Sequence, residues 1–271
     1  MGRQKSHAKL DREVRRESRR RLNQRGILSN EETNDLIHFD GNNRPAEVAH
    51  IGMEKEKRDR SPVIARNINQ GLYMDSIEKY DLVIGAGSAG AGKSYLATVY
   101  AIDQLTEKNY EKIIVTRPMV TGEEEMGFLP GSLQEKWLPF FRPIYDTMRR
   151  RMGPSFLQYC LRPEIEKIEI VPFAFMRGRD LREAVIILDE AQNVTVTQMK
   201  LFLTRAGENA KVIINGDLTQ CDLPRGTKSG LADLLERIER KGLDVPVIHF
   251  TDDDCVRSDL CKTALEIYSD V

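Results

Sequence analysis

Residues 87–94 read Gly-Ser-Ala-Gly-Ala-Gly-Lys-Ser, which is the spacing Gly-x-x-x-x-Gly-Lys-Ser. In that pattern the backbone N–H groups of Gly87, Ser88, Ala89, Gly90, Ala91 and Gly92 curl around an anion, and a helix opening just after them adds favourable partial charge. Lys93 then reaches the β- and γ-phosphates, and Ser94 offers its hydroxyl to Mg2+. An apolar run before the loop and a one-sided apolar pattern after it supply the strand-then-helix context this loop requires. The residues therefore imply binding of a nucleoside triphosphate. Two more groups suit its hydrolysis. The apolar run 184–188 ends in Asp189 and Glu190, a metal ligand followed by a carboxylate able to polarise an attacking water. A second apolar run, 211–215, is followed by Asp217 and Gln220, an acid and an amide at the strand end where open α/β sheets build their sites.

These groups need a scaffold, and the periodicity provides one. Strands are expected at 81–85, 112–116, 168–171, 184–188, 212–215 and 247–250, with helices at 94–108, 195–205 and 230–240 between them. That alternation predicts an α/β fold, a mostly parallel sheet with helices on both faces. Residues 126–146 break the rhythm with prolines and aromatics, and read as an inserted, packed loop and helix. Trp137, Phe140 and Phe141 there either pack as core or stack on nucleobases.

Composition restricts the functional classes. A chain of 271 residues can bury a sizeable core. Neither a run long enough to cross a bilayer nor a signal-peptide core is visible, so a soluble, cytoplasmic protein is expected. The four cysteines and four histidines show no metal-ligand spacing, which argues against zinc and against a disulfide framework. The net charge of −1 hides an asymmetry. Arg3, Lys5, Lys9, Arg12, Arg15, Arg16, Arg19, Arg20, Arg21 and Arg25 crowd the N-terminus, as a grip on nucleic-acid phosphates or as a solvated tail. A capping pattern at Ser29 to Glu32 opens a short helix, and residues 41–62 are polar and aperiodic. Two parts are expected: an arm, short helix and linker over 1–62, and a folded domain over 63–271.

Within that domain several further motifs occur in order: Thr116-Arg117-Pro118, Gly127 to Gly131, Phe175 to Arg179, Asp189-Glu190-Ala191-Gln192-Asn193, Leu203 to Arg205, Gly216 to Gln220 and Asp222 to Pro224. Together with the phosphate loop they resemble the PhoH family of phosphate-starvation-inducible ATPases. That family in turn resembles the first RecA-like domain of superfamily-one helicases. The resemblance implies a RecA-like P-loop NTPase, with Asp189 and Glu190 in the Walker B motif and Gln220 in the third helicase motif. It also implies adenine reading by Gln70, contact with a nucleic-acid backbone by Arg117, and a phosphate clamp at Arg177 and Arg179 (for which a structural salt bridge competes).

A helicase has two such lobes, and this chain has room for one. The resemblance accordingly implies a ring-like homo-oligomer, a hexamer, in which a neighbour supplies an arginine. Arg257 is the first choice, ahead of Arg205 and Arg225. Residues 122–127 carry one residue more than the family pattern, which leaves the place of Glu123 open. The expectation is a Mg2+-dependent ATPase acting on RNA or single-stranded nucleic acid. The alternatives are a nucleotide-gated binding module with slow hydrolysis and a P-loop kinase for a small molecule.

Overall fold

The computed structural model describes residues 58–119, 137–176, 178, 179 and 181–256. They fold around a six-stranded sheet: β1 (Leu82–Gly87), β2 (Lys112–Arg117), β3 (Ile168–Pro172), β4 (Ala184–Leu188), β5 (Ala210–Gly216) and β6 (Val247–Phe250). The spatial order is β3-β2-β4-β5-β1-β6, and every neighbouring pair is parallel. A parallel sheet must be covered on both faces, so its central strands carry continuous apolar runs. β4, Ala-Val-Ile-Ile-Leu, is buried along its whole length. Its residues alternate between two cores, Val185 and Ile187 into one and Ala184, Ile186 and Leu188 into the other, as the two-residue pleat dictates. Each fully buried isoleucine contributes about 1.5–3 kcal/mol.

One face is covered by α1 (Ile68–Lys79), α2 (Lys93–Thr106), α3 (Arg142–Met152) and α4 (Pro154–Cys160), through Tyr73, Ile77, Leu96, Ile102, Ile144, Met148 and Leu157. The other is covered by α5 (Val196–Leu203) and α6 (Gly230–Lys241), through Met199, Phe202, Leu231 and Ile238. Local signals fix the helix ends. Thr195 caps α5 in a capping box with Gln198, and α6 opens on Ser229 and stops at Gly242, whose φ is 58°. The order of strands places β5 alone between β1 and β4. The loops leaving β1, β4 and β5 therefore meet at the carboxyl edge of the sheet.

Three sequence expectations shift. The helix expected from 94 to 108 ends at Thr106, because Lys108 turns the chain with φ 64°. Thr195 is the cap of α5 and its last turn closes at Leu203, so that helix is shorter than 195–205. Of the inserted region, residues 137–146 hold a 3-10 turn at Leu138–Phe141 and the start of α3, and α4 follows beyond it as a helix no pattern announced; each helix has a proline in its first turn. Trp137 and Phe141 are buried in the core and Phe140 packs against it, so packing and not base stacking accounts for them. Ahead of α1, the backbone N–H of Asp59 donates to Arg150 O and the Arg151 guanidinium donates to Ser61 O. Residues 1–57, with the basic arm and the capping pattern at 29–32, lie outside the described residues.

Candidate nucleotide site

The phosphate loop forms because three of its glycines occupy the left-handed region, Gly87 at φ 115°, Gly90 at φ 83° and Gly92 at φ 88°. At Gly87 there is a second requirement. A Cβ there would stand 1.9 Å from the backbone oxygen of Phe250. Helix α2 starts at Lys93 with no side-chain cap, so its first N–H groups are available to an anion. Lys93 is buried, and its Nζ donates to Gly87 O at 2.6 Å and Ser88 O at 2.7 Å while lying 5.6 Å from the Phe250 ring centroid. The ammonium is thus held across the loop that surrounds it.

The loop is anchored from two directions. From the N-terminal side, the buried Gln70 on α1 donates from Nε2 to Ala91 O at 2.8 Å and accepts from the Arg66 N–H at 2.9 Å. Its side chain therefore touches the phosphate loop itself. From the C-terminal side, Ser88 N donates to Phe250 O, Ser88 Oγ donates to Asp252 at 2.5 Å, and Val256 N donates to Gly90 O at 3.2 Å. Asp254 ties the two supports together, accepting from Asn69 Nδ2 at 2.7 Å and from Thr251 N at 2.9 Å.

Across the cleft, β4 delivers Asp189, whose N–H is bonded to Thr116 O of β2. Asp189 is buried and accepts from Ser94 Oγ at 2.6 Å. Burial pushes its carboxyl up, with the neighbouring Glu190 adding to the shift. The Ser94 bond and, more weakly, the positive charges of Arg117 and Lys93 oppose it. A buried carboxylate of this kind favours a nearby cation, and two hard oxygen donors in contact are the set Mg2+ takes. A triphosphate and a divalent ion fit the residues present. Among the described residues no cluster of three or more His, Cys, Asp or Glu could hold a metal by itself.

Glu190 adopts a left-handed conformation, φ 53° and ψ 41°, which costs a non-glycine residue about 1 kcal/mol. Its carboxylate is held on both oxygens. Gln192 donates from Nε2 to Oε2 at 2.7 Å, and Arg117 Nη2 lies 3.4 Å from Oε1. Gln192 is fully buried and acts as a hub, since its Nε2 also donates to Gln220 O at 3.2 Å and its Oε1 accepts from the Asp217 N–H at 3.0 Å. Gln220 in turn donates to Asp217 Oδ2 at 2.8 Å. The cleft enclosed has a volume of about 300 Å3 and brings Lys93, Ser94, Arg117, Asp189, Glu190 and Gln220 to one wall system.

The loops thus bring Lys93, Ser94, Arg117, Asp189, Glu190 and Gln220 to one cleft, and add others. Sequence reasoning left Gln192 without a role, although it lies inside the Asp189–Asn193 motif. Asp252 carried no signal at all. Arg117 was expected to contact a nucleic-acid backbone; it lines the cleft beside the phosphate loop and pairs with Glu190. Arg179 forms a short ion pair with Glu169 of β3, which Lys112 also approaches at 3.3 Å. Arg177, Arg257 and Glu123 lie outside the described residues.

A parallel α/β sheet with a glycine-rich loop leading into α2 and an Asp-Glu pair two strands away defines a RecA-like P-loop NTPase domain. The PhoH-like protein family model matches residues 62–269. Protein PhoH of Escherichia coli (strain K12) is 50% identical over 269 residues, covering 99% of this chain and 74% of that protein. A PhoH-like protein of Mycobacterium tuberculosis (strain H37Rv) is 42% identical over 232 residues, covering 84% of this chain and 64% of its own length. The chain belongs to the PhoH family. Among solved structures, the large terminase of a thermophilic bacteriophage aligns with a TM-score of 0.43 at 13% identity, over 71% of this chain and 46% of that one. Among the described residues no helix is long and apolar enough to cross a membrane.

Proposed function

We propose that this chain is a Mg2+-dependent ATPase that works as a ring-like homo-oligomer, a hexamer, on RNA or single-stranded nucleic acid. The observation that carries the hydrolytic reading is the paired arrangement of Ser94 on Asp189 and, beside it, Glu190 held on both carboxylate oxygens at the cleft. The loop N–H groups of residues 87–92 and Lys93 would bind the phosphates, and Gln70 lies against the same loop. Ser94 and Asp189 would hold Mg2+, which supplies charge neutralisation at the phosphate oxygens. Glu190 would orient water and accept its proton, and Gln220 stands one hydrogen bond away through Asp217. Arg257, which follows Val256 in the chain, is the residue by which a neighbouring protomer would complete the site. Arg117 and Arg177 would face strand phosphates, whereas Arg179 is engaged by Glu169, the competing salt bridge.

The test is phosphate release from ATP by the whole chain, with Mg2+, with and without single-stranded RNA, beside light scattering in the presence of nucleotide. Glu190→Gln should bind ATP and release phosphate at least about a hundredfold more slowly, the scale of a lost general base. Hydrolysis at the unmodified rate by Glu190→Gln sinks the base assignment, and transfer of phosphate to a small acceptor sinks the ATPase reading.

A further inference from the structure

Arg117 closes β2 and reaches three ways. Its Nη1 donates to Phe140 O at 3.1 Å, its Nη2 sits 3.4 Å from Glu190 Oε1, and it lines the cleft that holds Lys93 and Ser94. Phe140 belongs to the inserted 3-10 turn, so one guanidinium bridges that insertion and the carboxylate assigned to water activation. The two ends of the ion pair differ from the rest of the site in one respect. Their side chains are 30% and 32% exposed, whereas Lys93 and Asp189 are buried. A pair open to solvent on one side is weak and open to exchange, and an arginine fork matches a phosphate at least as well as a carboxylate.

We propose that Arg117 is a latch on Glu190. With no strand bound, its charge holds the Glu190 carboxylate to one side, opposite Gln192. A phosphodiester arriving from the exposed side takes the guanidinium, and Glu190 keeps only its Gln192 bond and is released to bind water. The group acts through Glu190, so Arg117 is a positioning residue for hydrolysis as well as a strand contact. The latch rests on the reading of Glu190 as the base and of nucleic acid as the partner. It adds a reason why turnover would depend on the strand.

The experiment compares ATP turnover by the unmodified chain, Arg117→Gln and the double variant Arg117→Gln with Glu190→Gln, each with and without poly(U), together with the KM for ATP. The latch requires that Arg117→Gln turn over ATP faster than the unmodified chain when no strand is present, by about fivefold, the upper limit for an exposed ion pair. Poly(U) should then add nothing further. The double variant should stay as slow as Glu190→Gln alone, because the effect runs through that carboxylate. If the unmodified chain responds to poly(U) and Arg117→Gln has an unchanged strand-free rate, the latch is overturned while the nucleic-acid reading stands. If poly(U) affects neither protein but Arg117→Gln is faster, the restraint on Glu190 holds and the strand is overturned as its trigger. A raised KM with an unchanged kcat makes Arg117 a nucleotide contact and overturns the latch. Should Arg117→Gln fail to fold, Arg117→Lys replaces it. Its single ammonium cannot hold Phe140 O and Glu190 with the same fork, and an intermediate strand-free rate is expected.

Discussion

Gly216→Ala isolates the packing that holds the catalytic groups. Gly216 ends β5, and a Cβ there would stand 2.5 Å from Leu231 Cδ2, 2.9 Å from Gln192 Oε1 and 3.2 Å from Gln192 N. Leu231, in the first turn of α6, is fully buried, so it has little room to retreat. Forcing a methyl into such a site costs about 1–3 kcal/mol. Pushing the Gln192 carboxamide aside also weakens its bonds to the Asp217 N–H and to Glu190, a further loss of about 1 kcal/mol. The sum, roughly 2–4 kcal/mol, should appear as a lower midpoint in urea unfolding. Turnover should fall by about ten- to a hundredfold, since displacements near 1 Å in a reacting group have that effect. Nucleotide affinity, set by the loop at 87–94, should change little. Gly226→Ala is the control: its φ is 86° but a Cβ there meets nothing within 4 Å. It should cost only about 1 kcal/mol of backbone strain and leave turnover alone. If Gly216→Ala unfolds within about 0.5 kcal/mol of the unmodified protein and keeps its kcat, then Gln192 does not hold the site in the way described.

Gly87→Ala should abolish ATP binding, measured by titration with a fluorescent nucleotide, because its methyl would meet Phe250 O at 1.9 Å at a φ of 115°; unaltered affinity would mean the loop tolerates another path. Lys211 is buried on β5 and donates to Ile77 O and Tyr80 O, each at 2.6 Å. Burial holds its pKa below the ordinary lysine value, against the pull of Asp81 and Glu78. The unfolded chain then binds the proton more tightly than the folded one, so stability rises as pH climbs from the lowered value to 10.5 and declines as pH drops back through that window. Lys211→Met should remove that slope from the pH dependence of urea unfolding; equal slopes in both proteins would refute it.

Where the sequence was legible, contiguity made it so. Ala184–Leu188 announced itself as an uninterrupted apolar run, Val247–Phe250 as an apolar run broken only by His249, and both have the expected bounds. Lys93, Ser94, Asp189 and Glu190 sit inside short motifs whose chemistry is complete within a few residues. Helix α1 was missed because its apolar pattern has no clean face: Ile68 and Leu72 are exposed at 81% and 53%, and Gly71 interrupts it. Helix α4 is seven residues long, too short for a 3.6-residue period to register. The partners of the site were illegible for another reason. Asp252 meets Ser88 from 164 positions away, and Glu190 meets Arg117 across β4 and β2, and only the order of strands brings them together.

The two anchors of the phosphate loop have a consequence for synthesis. The carbonyls of Ala91 and Gly90 are engaged by Gln70 and Val256 respectively, which lie on either side of nearly all the described chain. A growing polypeptide therefore acquires the loop's sequence early but its fixed shape only after residue 256 has left the ribosome. Until residues 247–250 have been made, the strand that blocks Gly87 from any side chain, β6, does not exist. Nucleotide capture should accordingly switch on late and abruptly in folding, as a marker that β6 has docked against β1.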